Sequence, residues 1–181
     1  IDYRPLFDDL RERQQRLQAA VEGGLATARG LPVAEAAPAP TPVEPVGGGP
    51  ADALPTQWAA PVQKLNSSDP AERFEAVDVL VQTGDERVLP FVLPLCGDGD
   101  EFVRRRTVEG LRAFRTPEVV EALLVALGDD VENVRDTAWN SLREVTGQRL
   151  PFDSAANRDA RARAAQKWSE WWQANKASFG K

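Results

Sequence analysis

The 181-residue chain has no histidine, no methionine and one cysteine, Cys96. Without histidine it lacks the commonest general base, the usual metal ligand and the one side chain that ordinarily titrates near neutral pH. Ser-His-Asp and Cys-His nucleophilic arrangements are excluded with it. A single cysteine excludes an intrachain disulfide and every multi-cysteine zinc pattern. No apolar run approaches the ~18 residues of a membrane-spanning helix. Basic residues are in deficit, 22 against 28 acids, giving a net charge of −6. That balance argues against a general nucleic-acid binder, which needs a surplus of Lys and Arg to neutralise phosphates. A phosphate-cradling loop is also missing, because Gly47-Gly48-Gly49 sits among prolines with no Lys-Ser or Lys-Thr after it. No cofactor and no metal are expected. The acids Asp98, Asp100, Asp129 and Asp130 fall in turns and suit helix capping without an ion.

What is present divides into four segments. Residues 1–29 carry equal numbers of acids and bases, and Tyr3, Leu6, Leu10, Leu17 and Ala20 follow a 3–4 spacing. The spacing predicts an amphipathic, coiled-coil-like helix over 5–28, with Pro5 in its first turn and Gly23-Gly24 loosening its end. Three heptads are marginal alone, so Leu6, Leu10 and Leu17 are expected to meet a partner. Residues 30–56 contain seven prolines, four glycines and no Lys or Arg. Such a stretch buries too little to pack and reads as an extended linker.

Residues 57–149 repeat. Arg73, Arg104 and Arg135 lie 31 positions apart, as do Ala76, Thr107 and Ala138, and Leu80, Leu111 and Leu142. Each unit has two apolar patterns, for example "PEVVEALLVALGD" and "EFVRRRTVEGLRAF". Val103, Thr107 and Leu111 recur at i, i+4 and i+8, the core stripe of an amphipathic helix. The unit is helix–turn–helix, and stacked units form an α-solenoid.

The stretch "DEFVRRRTVEGLRAFRTPEVVEALLVALGDDVENVRDTAWNSL" resembles HEAT-like repeats of the short kind found in phycobilisome-lyase-type bacterial proteins. The resemblance covers about residues 57–147. It implies an all-α fold, a short HEAT-like solenoid, in which Arg73, Arg104 and Arg135 are ladder arginines. These would bond turn acids such as Asp98 and Asp129 and tie one repeat to the next. Of the triplet Arg104-Arg105-Arg106, the first is then structural. Arg105 and Arg106 are its exposed remainder, screened by Asp100, Glu101 and Glu109. Glu72 stands where later units have valine, which suits a polar end.

Residues 150–181 carry a net charge of +3 and three of the five tryptophans. A helix is expected from about 155 to 177, capped by Asp153 or Ser154. It places Arg161, Ala164, Ala165, Trp168, Trp171, Trp172 and Asn175 on one face. That face closes the last repeat, and Trp171 also suits an interface.

The expected function is a non-catalytic scaffold or accessory subunit of a larger bacterial assembly, with other protein subunits as partners. The second helix of each repeat would present Phe74, Asp78, Arg105, Arg106, Glu109, Asp136 and Asn140. The alternative that the resemblance implies is a pigment-handling, lyase-like enzyme subunit. A start at Ile1, an Ala/Pro-rich tether and one cysteine suit an exported, periplasmic or membrane-tethered protein anchored upstream, with a cytoplasmic location as the alternative.

Overall fold

The computed structural model describes residues 55–180. The helix expected over 5–28, with Leu6, Leu10 and Leu17, and the linker up to residue 54 lie outside them. Seven α-helices and several 3-10 turns make up the described residues, with no strand among them. They are α1 Ala59–Lys64, α2 Pro70–Val81, α3 Leu89–Val92, α4 Glu101–Gly110, α5 Pro117–Ala126, α6 Glu132–Thr146 and α7 Arg158–Asn175. The fold is a short all-α solenoid of three helical pairs, α1/α2, α3/α4 and α5/α6, followed by α7.

The helices start where the sequence supplies a cap. Asp69 accepts from the Ala71 amide, Asp100 from the Phe102 and Val103 amides, and Thr116 from the Val119 amide. Each satisfies a donor that the first helical turn leaves open. The stretch Glu86–Gly97 is one short α-turn, α3, between two 3-10 segments. Pro94 is the reason: it has no N–H to give the carbonyl four residues back, so a continuous α-helix cannot run through it. Gly147 ends α6 in the left-handed region at φ 72°, the usual place for glycine after a helix.

The second helices α2, α4 and α6 pack side by side in sequence; α2 and α6 also rest on the first helix of their own pairs, and α4 on the 3-10 segment Leu93–Gly97 that follows α3. Their apolar stripes, Val77 and Leu80, Val103 and Val108, and Val134, Ala138 and Leu142, are fully buried in one continuous core. Gly110 sets the spacing of α2 and α4. A Cβ there would meet Val81 Cγ1 and Cγ2 at 2.8 Å and its Cβ at 2.9 Å. Rotating Val81 cannot relieve a clash with its own Cβ. Gly110→Ala therefore sets overpacking of about 1–3 kcal/mol against about 1 kcal/mol of helix propensity. Net destabilisation is expected in urea unfolding, reversed by adding Val81→Ala. A Gly110→Ala chain more stable than the original would show that the helices are not in close contact at this point.

The C-terminal helix closes the last pair with an aromatic cluster. Trp168 and Trp172 are buried and Trp171 is half-buried. Trp168 meets Trp171 edge-on, and Phe179 meets Trp172 edge-on at 5.2 Å between ring centroids. Lys176 pairs with Glu121 of α5, whose carboxylate also accepts from Trp172 Nε1. The cap of α7 differs from the expected Asp153 or Ser154. Asn157 accepts from the Ala160 amide instead, next to the helix start at Arg158, while the Asp153 carboxylate accepts the Ala155 amide in the preceding turn.

Candidate interaction face

An arginine ladder holds the repeats in register. Arg73 donates from Nε and Nη2 to the two carboxylate oxygens of Asp98 at 2.8 and 2.7 Å, and from Nη1 to the Ser67 carbonyl at 2.8 Å. Arg104 repeats the pattern with Asp129 at 2.8 and 3.1 Å and with the Asp98 carbonyl at 2.9 Å. One guanidinium thus joins the turn six residues behind it to the turn acid 25 residues ahead. The bidentate fork fixes direction as well as distance. Asp98 and Asp129 also accept the Asp100 and Val131 amides, so each carboxylate organises its own turn. The carbonyl bonds carry no sequence signal, since every residue has a carbonyl.

Arg135 departs from the expected pairing with a turn acid. It bonds the Asp129 and Asp130 carbonyls behind it, and ahead it donates from Nε and Nη2 to the Ser154 carbonyl at 3.0 and 2.7 Å. The position 25 residues on is Ala160, which has no carboxylate, so the backbone of the incoming loop supplies the acceptor.

Arg106 is a second correction. It is not an exposed partner of Arg105: its side chain is 17% exposed and turns back onto Asp78 of the preceding repeat. Arg106 and Gly110 lie one turn apart on the face of α4 that meets α2, and the close approach that Gly110 allows brings Asp78 within reach. The Arg106 guanidinium holds the Asp78 carboxyl below its ordinary value. A folded-state value below the unfolded one gives stability that is present above the unfolded value and lost as pH falls. The gap between the original chain and Arg106→Gln should therefore be full above about pH 4 and close below it. Asp78 is 38% exposed, so the gap is small, below about 1 kcal/mol. A carboxyl titration of Asp78 by NMR that does not move upward in Arg106→Gln would remove this pairing.

The remaining expected contact residues spread along the solvent side of the second helices. Phe74 is 37% exposed, and Arg105, Asp136 and Asn140 are exposed. Phe74, Arg105 and Asp136 share one register position in successive repeats and form a row across α2, α4 and α6. Asn140 is tied to Asp136, and Glu109 lies 3.4 Å from Arg112 and 3.9 Å from Arg106. Arg105 has no carboxylate partner among the described residues. Its guanidinium stands 6.0 Å from the ring of Phe102, which is 56% exposed. Phe102 carries no repeat signal in the sequence, since its register partners are Ala71 and Asn133 and no apolar periodicity marks it.

Among the described residues no group of His, Cys, Asp and Glu could hold a metal ion. Cys96 is buried, and burial with the nearby Asp129 pushes its thiol up to about 12, far from a reactive thiolate. No helix of the described residues is long and apolar enough to cross a membrane. A search of curated proteins gives no match to the chain. Residues 59–143, which span most of the three stacked pairs, match the family model of HEAT repeats.

Proposed function

We propose that the chain is a non-catalytic interaction module, an accessory subunit of a larger assembly, and that it meets its partner through Phe74, Phe102 and Arg105. HEAT repeats generally serve as protein-interaction scaffolds, which supports the coarse reading. The observation that carries the finer one is Phe102. A phenylalanine more than half exposed beside an arginine without a carboxylate partner is the kind of aromatic–arginine pair that concentrates binding energy at interfaces. Asp78 and Arg106 satisfy one another and serve the fold more than the contact.

The test is loss of capture without loss of fold. Proteins retained by the full chain from its native source should be released by Arg105→Glu with Phe102→Ser, while the melting temperature stays unchanged. Retention of the same partners by that variant would move the contact to another surface. A purified chain carrying a covalent or tightly held chromophore would overturn the non-catalytic reading in favour of a pigment-handling enzyme.

A further inference from the structure

The third repeat ends differently from the first two. Val77 and Val108, at the register position of Trp139, are fully buried beneath the repeat that follows. No second helix follows α6, and Trp139 is half-buried, its Nε1 donating to the Leu150 carbonyl at 3.0 Å. The loop after α6 and the start of α7 cover only part of the space a fourth repeat would fill. What remains is an open groove of about 460 Å³, with Trp139, Pro151 and Phe152 against Ala160, and Arg163 and Lys167 from α7 beside them.

The groove has an apolar aromatic floor and a cationic rim. Arg163 and Lys167, one helical turn apart, form no ion pair among the described residues. Arg143 lies over the Trp139 ring at 4.8 Å from its centroid, adding a third cation nearby. The groove has one acid, Asp153, and its carboxylate already accepts the Ala155 amide.

We propose that this groove is the docking site for the chain's own proline-rich stretch Pro38–Pro45, with Glu44 reaching Arg163 or Lys167. The charges are complementary. Residues 30–56 contain three acids and no Lys or Arg, whereas residues 150–181 are the only segment with net positive charge. The chemistry is complementary too. Prolines favour an extended backbone that loses little entropy on binding, and aromatic-lined grooves recognise such segments.

A nitroxide placed at Ala39→Cys in the full ¹⁵N-labelled chain reads this contact by NMR. Cys96 is buried and stays unlabelled. The Trp139 indole signal and the amides of residues 151–167 should weaken about twofold or more, as expected for roughly half occupancy at the millimolar effective concentration of a short tether. The amides of 70–81 should keep their intensity. Arg163→Glu with Lys167→Glu should restore the groove signals. If that pair shifts the melting temperature, Glu44→Lys gives the same test from the other side. Three results overturn the proposal: no loss at the groove, an equal loss in the charge-reversed chains, or a loss seen only when labelled and ¹⁵N chains are mixed, which assigns the groove to a second copy.

Discussion

Trp168→Ala lowers the unfolding free energy by about 3–5 kcal/mol, the usual cost of truncating a fully buried tryptophan. Trp168 has no exposed surface and stacks edge-on against Trp171 at 6.2 Å between centroids. Most of α7 faces water, and of its side chains only Trp168 and Trp172 are buried. The helix is therefore held by two rings, and loss of one should release much of it. In a solenoid each unit contacts only its neighbours, so the effect should stay local. Hydrogen exchange in Trp168→Ala should speed up across 158–175 and far less across 70–81. Trp168→Phe should cost much less. The Trp168 Nε1 is buried with no acceptor among the described residues, so phenylalanine removes a polar group that gains nothing from burial. A Trp168→Ala chain with an unfolding midpoint close to the original would show that α7 is not anchored by this ring.

The second large effect is expected at Asp129. Its carboxylate accepts Arg104 Nε and Nη2 and the Val131 amide, and its carbonyl accepts Arg135 Nη1. In the pair, the Arg104 side chain is 15% and the Asp129 side chain 10% exposed. Asp129→Ala strands a mostly buried guanidinium and should cost about 3–5 kcal/mol. That loss is not the strength of the pair, because most of it is the penalty of leaving one charge unpaired. Arg104→Met with Asp129→Leu removes both charges and should cost clearly less than Asp129→Ala alone. Chemical denaturation of the three chains checks the order. A double variant as unstable as Asp129→Ala, or more so, would mean that the loss is not that of a stranded charge.

The ladder also shows what could and could not be read from the chain. The 31-residue spacing of Arg73, Arg104 and Arg135 is a property of the sequence, and Asp98 and Asp129 keep the same spacing. The end of the pattern was less visible. Arg135 faces Ala160 in register, and only the path of the loop brings the Ser154 carbonyl to its guanidinium. The partner of Arg106 is hidden in the sequence for a related reason. On an isolated helix it would lie beside Glu109, but the contact that dominates is with Asp78, 28 residues away on the neighbouring helix.

The two-helix unit, its repetition, the polar start at Glu72 and the tryptophan face of the last helix were all determined by sequence alone. Each depends on local periodicity: i, i+3 and i+4 contacts within a helix, and an offset of 31 between helices. Pro94 also marks in the sequence where α3 must break. Tertiary structure alone decided which charges are consumed and which remain. Gly110 brings α2 and α4 close enough to engage Arg106, while Arg105, one position away, is left facing water beside Phe102. It also decided that the stack stops at α6 with a groove beside Trp139. Local spacing fixes the face on which a side chain lies. Its partner is set by the distance between helices and by where the repetition ends, and neither quantity is written in any one segment of the chain.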